Sequence, residues 1–333
     1  MTALRFIVAL TIAAVLLYIA RTNSEGRPEF ISQSEGGFTF EITTLPKALE
    51  GTKAKITVVI RGDMISESKL LLRHARAGES RVSDIRRYRT TPLLVEDSAA
   101  GIYFAMVPTG TKNGRFYYYF EIRDQVGGYR ARFMGPDGEP FQLRFIGEVP
   151  RPVLIGHVAF MVLSVFFTAL GLLYALPIVS GGGKVRPMAV SFLLAAVCVF
   201  VGGYPIGWLT NHYAFGTLWE GVPFGTDATD NKTQLLFLGL LFVAATNLGS
   251  LTGSRFARDL YPIGVRGWFG VGVFALMLGI YLVPHSIQFS PGLTYAICYS
   301  VIAVFVLIYL LGMFRYRQVP HRVKPAQTEP ESQ

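Results

Sequence analysis

The chain has 333 residues, of which 51% are hydrophobic and only 16% are charged, against about 25% charged in typical soluble domains. The charge is also uneven, because residues 21–151 hold 20 of the 31 Lys and Arg residues and 16 of the 22 Asp and Glu residues. These figures exclude a uniform soluble globule. They predict a soluble domain joined to a membrane domain.

Six apolar runs have about the 20 residues that a membrane-spanning helix needs. They cover residues 4–20, 153–179, 187–209, 234–252, 267–284 and 294–314. The first run is either an uncleaved anchor or a signal peptide. Tyr18 stands where a cleavage site needs a small residue, so we favour the anchor.

Basic residues alternate between the predicted loops and so predict the orientation of the spans. Loop 210–233 has Lys232 against three acidic residues, and loop 285–293 has no charge. The other loops and the tail are basic, with Lys184, Arg186, Arg255, Arg258, Arg266, Arg315, Arg317, Arg322 and Lys324. Both termini are therefore predicted in the cytoplasm. The basic loops thus account for much of the net charge of +9, which speaks against nucleic-acid binding. Membrane lipid is the predicted partner, and the basic tail is either a plain stop-transfer cluster, the favoured interpretation, or a contact with anionic lipid.

Residues 36–146 have the alternating pattern of β-strands separated by turn residues. The predicted strands are 38–42, 55–60, 70–74, 101–107, 116–122, 129–133 and 140–145. The pattern resembles immunoglobulin-like or fibronectin-like modules, in which a Tyr-rich strand ends in Asp-x-x-Gly. Tyr119 and Phe120 must point to opposite faces, so at least one aromatic row faces outward or meets a partner. The favoured interpretation is a row of Tyr side chains that covers the end of the sandwich. His74 has no catalytic neighbour in the sequence and is predicted to be solvated.

These patterns together predict a membrane protein with an all-α bundle of about six transmembrane helices and an all-β immunoglobulin- or fibronectin-like sandwich. The predicted parts are an N-terminal anchor or signal peptide (1–21), an extracytoplasmic sandwich (22–150), a five-helix transmembrane domain (151–316) and a disordered cytoplasmic tail (317–333).

The predicted spans have almost no ionisable residues, which argues against proton pumping and ion coupling. Histidines are the remaining candidates. His157 shares one helical face with Met161, Ser164, Thr168 and Gly171, and His285 ends the fifth span. Histidines on two spans are typical ligands of haem b, copper or zinc, or hydrogen-bond partners of a quinone. The simpler interpretation is that each is a polar group at the membrane interface.

Loop 214–233 is the most distinctive segment. Trp219 and Phe224 suit a membrane interface, and Thr229 or Asp230 is predicted to cap the fourth span. Asp227 and Asp230, together with His212, also offer ligands to a hard cation such as calcium or a small acid–base site.

The same loop carries a resemblance. Residues 216–232 have the form Gly-x-x-Trp-x-Gly-x-Pro-Phe-Gly-x-Asp-x-Thr-Asp-Asn-Lys, including Asn231 and Lys232, and residues 284–286 are Pro-His-Ser. This resembles a group of bacterial inner-membrane proteins that carry an immunoglobulin-like outer domain. The resemblance implies an architecture and a bacterial inner-membrane location, and it groups the loop with His285. It implies no activity.

Three functions remain open from the sequence. The first is a redox-accessory or electron-transfer subunit that holds one haem b or a quinone through His157 and His285, with Met161 nearby. The second is a non-catalytic scaffold or assembly protein whose sandwich docks other membrane or periplasmic subunits. The third is a metal-binding membrane protein that uses His212, Asp227 and Asp230. No pattern demands an independent catalytic activity, and a transporter is the least favoured class.

Overall fold

A computed structural model describes residues 2–22, 28–77, 87–135, 137–254, 257–282 and 289–317. The chain forms two compact units. One consists of residues 1–23, 158–204 and 220–333, and the other of residues 24–157 and 205–219.

The second unit contains two β-sheets. In chain order the strands are β1 (Phe30–Glu35), β2 (Phe38–Thr43), β3 (Lys47–Leu49), β4 (Lys53–Arg61), β5 (Ser68–Arg76), β6 (Arg89–Pro92), β7 (Leu94–Asp97), β8 (Ile102–Pro108), β9 (Arg115–Asp124), β10 (Tyr129–Phe133) and β11 (Phe141–Ile146), with a short 3-10 helix at Ile65–Glu67. One sheet has the order β1-β2-β4-β8-β7, and the other has the order β3-β11-β9-β5-β6 with β10 paired to β9. The pairs are antiparallel except for β3 with β11.

Every second residue of the central strands enters one shared core, as the period of two requires. On β9 these residues are Phe116, Tyr118, Phe120 and Ile122, all buried. They face buried side chains of the other sheet, and the rings of Phe40 and Phe133 stack 4.5 Å apart. All seven predicted strands are confirmed. The structure adds β1, β3, β6 and β7, which are short or polar at the sheet edges.

The second aromatic row of β9 is covered by the chain itself. Tyr119 is 1% exposed and packs with Tyr88 and Ala75. Burial, with smaller effects of neighbouring tyrosines, raises the pKa of Tyr88 to about 12. Glu121, in the same row, is buried and paired with Arg123. This row is therefore not an open docking face.

His74 is half-buried, so the predicted solvated histidine is only partly exposed. Its Nε2 atom lies 2.9 Å from the Thr91 hydroxyl oxygen, and its ring stacks on that of Phe116 at 5.1 Å. These contacts give His74 a packing role between β5, β6 and β9.

The helices are α1 (Thr2–Thr22), α2 (Arg151–Val179), α3 (Val185–Gly203), α4 (Pro205–Phe215), α5 (Ala228–Thr246), α6 (Leu248–Thr252), α7 (Ile263–Leu282) and α8 (Pro291–Arg317). Within the described ranges, five helical segments are long and apolar enough to cross a membrane: Ala3–Thr22, Arg151–Val179, Val185–Phe215, Ile263–Leu282 and Pro291–Arg315.

Two predicted spans have different bounds in the structure. The helix predicted over residues 234–252 starts earlier, as α5, and breaks at Asn247. Its first turns are polar, which is why α5 falls outside the five apolar segments. The third span does not end near Leu209, since α4 continues it to Phe215 after a turn at Tyr204. The predicted tail, from residue 318, lies outside the described residues.

The helices of the first unit pack through small residues, as membrane helices do. Ala9 and Ala13 of α1 are buried, and Gly171 of α2 lies against the ring of Phe192 on α3, which leaves no space for a side chain there. The predicted inward face of α2 is confirmed at Ser164 and Thr168, both fully buried. On α3 the small residues Ser191, Ala195, Cys198 and Gly202, spaced three or four apart on one helical face, are buried as well.

Candidate functional sites

The loop before α5 is held by its own polar side chains. Asp230 accepts a hydrogen bond from the Glu220 amide at 2.7 Å through Oδ2, and Asn231 accepts one from the Val222 amide at 2.7 Å through Oδ1. Asp227 caps α5 by accepting from the amides of residues 229 and 230. Its own amide donates to the Glu220 carbonyl at 2.8 Å. We call residues 220–231 the loop cluster.

The loop cluster corrects the predicted cap, because the N-cap is Asp227 rather than Thr229 or Asp230. Asp227 Oδ1 accepts from two backbone amides and Asp230 Oδ2 accepts from one, and this is what the Asp-x-Thr-Asp-Asn motif achieves here. Across the described ranges, no group of three or more His, Cys, Asp or Glu side chains could hold a metal ion. Asp227 and Asp230, two of the predicted metal ligands, thus accept hydrogen bonds from backbone amides, while His212 belongs to the other compact unit.

Asn231 is 4% exposed, and its Nδ2 group has no hydrogen-bond partner in the described part of the chain. The remaining predicted loop residues differ in exposure. Trp219 and Lys232 are half-buried, while Phe224 is 84% exposed at the turn. An aromatic side chain this exposed suits a lipid interface better than water.

His212 lies on α4, within the same compact unit as the sandwich. Its imidazole is exposed, but its carbonyl oxygen accepts a hydrogen bond of 2.9 Å from the Lys112 ammonium group. Two residues further on, the Ala214 carbonyl accepts from the Gly147 amide at 2.9 Å. A β-carbon at Gly147 would lie 2.0 Å from the Tyr213 carbonyl oxygen, so only glycine permits this approach.

An arginine completes this contact, which we call the α4 junction (Lys112, Arg144 and Gly147 with residues 212–215). The guanidinium of Arg144 lies 4.2 Å from the ring centre of Phe215. Asn113 positions the same guanidinium by accepting a hydrogen bond of 2.7 Å. Cations at the C-terminal end of α4 also match the negative end of the helix dipole. The α4 junction thus fixes α4 against the end of the sandwich.

His157 and Met161 occupy the half-buried start of the polar face of α2. Further along that face, the buried Tyr281 hydroxyl of α7 meets the Ser164 side chain without a well-aligned hydrogen bond in the described part of the chain. His285, the second predicted ligand, lies outside the described residues. The face is therefore polar, and the pairing of His157 with His285 stays a prediction.

A buried ionic cluster at the start of α7 was missed by sequence reasoning. Arg266 was assigned to a basic loop, but it is 8% exposed on α7. Its Nη1 group lies 2.6 Å from Asp259 Oδ2 and 3.1 Å from Asn247 Oδ1. The signal available in the sequence was Asp259 itself, the one acidic residue in an otherwise basic loop.

Comparison with known proteins adds no relative. No family model matches the chain, and no curated protein matches it significantly. The class is therefore defined by the fold alone: a β-sandwich region combined with helices of which five are long and apolar enough to span a membrane.

Proposed function

We propose that this chain is a membrane-integral scaffold or assembly protein whose β-sandwich docks another protein subunit. The observation that carries the proposal is the edge strand β7. All four of its residues are exposed, including Leu94 at 53% and Val95 at 60%. β7 is the last strand of its sheet, and within the described ranges its one pairing partner is β8.

An edge strand presents unpaired amide and carbonyl groups that an extended segment of a partner can pair with. Apolar side chains beside such an edge add burial to those backbone hydrogen bonds. Leu94 pairs with Phe104 of β8, and the neighbouring outward-facing Met106 is 42% exposed. The edge therefore suits an extended partner segment with apolar side chains.

The α4 junction supports the same function. A tethered module would need only a flexible linker, whereas Lys112 and Gly147 bind α4 directly. A module fixed to a membrane helix loses less conformational freedom when it docks a partner.

The test is recovery of partners by the tagged full-length chain, cross-linked in cells and purified in mild detergent. We expect L94E/V95E to lower the recovery of at least one cross-linked protein by about tenfold, as loss of a central apolar contact would. Quantitative mass spectrometry measures the recovery.

The matched control is Val126→Glu, because Val126 is 96% exposed in the turn between β9 and β10. This variant adds the same charge to an exposed valine away from β7. Equal recovery of every cross-linked protein from the wild type, L94E/V95E and V126E would contradict docking at β7.

The membrane arrangement belongs to the proposal. We place the chain in a bacterial inner membrane with six spans, α5 being the sixth, and treat α1 as an uncleaved anchor. Both termini are cytoplasmic, and the sandwich, which we take as immunoglobulin-like, is extracytoplasmic. The alternation of basic and non-basic loops supports this orientation.

A second candidate function is a redox-accessory or electron-transfer subunit that holds one haem b or a quinone through His157. The polar face of α2 favours it, because Met161 and Ser164 follow His157 on that face. Among the described residues, the Tyr281 hydroxyl beside Ser164 has no well-aligned hydrogen-bond partner. Such a hydroxyl suits the carbonyl oxygen of a quinone, and a histidine suits haem iron.

The absorption spectrum and the extracted quinone content of the detergent-purified chain test this candidate. We expect a Soret band or bound quinone that His157→Ala removes and His74→Ala, in the sandwich, retains. Absence of both haem and quinone from the wild-type protein would rule the candidate out.

A further inference from the structure

The helix α4 has one exposed side and one buried side. Gly207 and Ala214 are buried, and they stand seven residues apart on the same side of the helix. The exposed residues recur at the spacing of the opposite side. We call them the α4 face, which consists of Pro205, Trp208, Leu209, His212 and Tyr213. Leu209 is 46% exposed and Tyr213 is 38% exposed, so this face is largely apolar and aromatic.

Further apolar surface lies in the same compact unit, which contains the sandwich, α4 and the start of α2 through His157. A β-carbon at Gly156 would lie 3.6 Å from the Ile206 side chain of α4, so the start of α2 is close to α4. Leu154 and Ile155, on either side of this contact, are 44% and 67% exposed. Exposed apolar surface of this kind marks contact with a protein or a membrane.

The α4 face is held outward and has no charge. The sequence of α4 contains no Asp, Glu, Lys or Arg. At its C-terminal end, Lys112 donates a hydrogen bond to the His212 carbonyl and Gly147 donates one to the Ala214 carbonyl. These contacts keep the buried side of α4 toward the sandwich. The helix therefore cannot rotate to bury its exposed side chains without breaking the α4 junction.

Helix length and composition favour lipid over protein as the partner of this face. The apolar segment Val185–Phe215 has 31 residues, whereas crossing the hydrocarbon core takes about 20. The segment is divided at Tyr204 into α3 and α4. With 19 residues, α3 alone is about 29 Å long and matches that core. The remaining residues of the segment exceed the core, and Trp and Tyr are the side chains typical of the headgroup level.

We propose that the α4 face binds the phospholipid headgroup region, and that the membrane-crossing part of this segment ends near Tyr204. An uncharged helix face with Trp, Leu and Tyr binds a bilayer surface by burying its apolar side chains at the boundary between headgroups and acyl chains. The sandwich, which is fixed to α4 by the α4 junction, is then seated on the membrane through this helix. This lipid contact is separate from the docking of a subunit at β7.

The test is fluorescence quenching of the full-length protein in phospholipid nanodiscs, with a fluorophore on Leu209→Cys or Tyr213→Cys. Both native cysteines are buried, so labelling is selective. The quenchers are lipids with a nitroxide on the headgroup, lipids with a nitroxide near the end of the acyl chain, and aqueous iodide. At both positions we expect the headgroup nitroxide to quench about twofold more strongly than the chain-end nitroxide.

Two labelled variants calibrate the quenching. Val126→Cys is the water control, because Val126 is 96% exposed beyond the end of β9 that lies about 30 Å from the α4 junction. Iodide is expected to quench it and the lipid nitroxides are not. Leu307→Cys, at an exposed position inside the apolar helix α8, is the control for the acyl-chain region.

Three outcomes overturn the proposal. Quenching of the α4 positions like that of V126C would place the face in water. Quenching like that of L307C would make α4 part of the membrane-crossing helix. Protection of both positions from iodide and from both lipid nitroxides would mean that a protein surface covers the face. Preferential quenching by the headgroup nitroxide at both positions supports the proposal.

Discussion

Asp259→Ala is expected to lower the free energy of unfolding by about 3 kcal/mol, because it leaves a buried cation without its partner. The Arg266 side chain is only 10% exposed, and its Nη1 group lies 2.6 Å from Asp259 Oδ2. Asn247 and Ser250 accept from the same nitrogen at 3.1 and 3.3 Å, but neither supplies a charge. Asp259 also accepts from the Ser250 amide at 2.7 Å, so the substitution breaks the loop as well.

Unfolding of the purified full-length chain by a denaturing detergent measures this change. Asp259→Asn keeps the hydrogen-bond acceptor and removes only the charge, so an intermediate loss is expected. Asp63→Ala removes an exposed acid in the sandwich and is expected to change the free energy by less than about 0.5 kcal/mol. Equally small losses of unfolding free energy in D259A and D63A would contradict a stabilising role of the Asp259–Arg266 ion pair.

The strands that the sequence predicts are those with a strong alternation of apolar residues. β9 shows why, since its buried Phe116, Tyr118 and Phe120 stand at every second position. The missed strands lack this signal. β6 reads Arg-Thr-Thr-Pro and β7 reads Leu-Val-Glu-Asp, and both are strands because a neighbouring strand pairs with them, which is a long-range effect.

The loop cluster shows a second limit of sequence reasoning. Carboxylates and an amide at close spacing fit both cation ligation and capping. Which role applies depends on the path of the loop. Here the backbone amides of Glu220 and Val222 donate hydrogen bonds to Asp230 and Asn231, which lie ten and nine residues further along the chain. The turn between these residues has no periodic sequence pattern. The motif therefore predicts a polar site, but it does not predict whether that site binds a cation or caps the helix.

Arg266 shows a third limit, because the positive-inside rule counts charges without asking which are buried. The first turn of α7 begins at Ile263, so Arg266 faces α6 and the preceding loop instead of solvent. Asp259 then pairs with it. Leaving Arg266 out does not change the predicted orientation of the spans, because the remaining basic residues of that loop and of the tail still give these segments a positive charge.

Phe40→Ala is the other substitution with a large expected effect, a loss of about 3–4 kcal/mol in the stability of the sandwich. Phe40 is fully buried between the two sheets. Its ring stacks on Phe133 at 4.5 Å and lies 5.0 Å from Phe120, so its removal leaves a cavity that rigid aromatic neighbours cannot fill. Chemical denaturation of the full-length chain, followed by near-ultraviolet circular dichroism, measures the loss.

Phe30→Ala is the matched control, because Phe30 is on the adjacent strand β1 and is 68% exposed. Its replacement by alanine removes the same atoms and is expected to cost less than about 1 kcal/mol, since little apolar surface leaves water there. Similar losses for F40A and F30A would mean that the two sheets do not share the core assigned to them. A large loss for F40A alone is expected, because the ring at Phe40 contacts both sheets and the ring at Phe30 faces solvent.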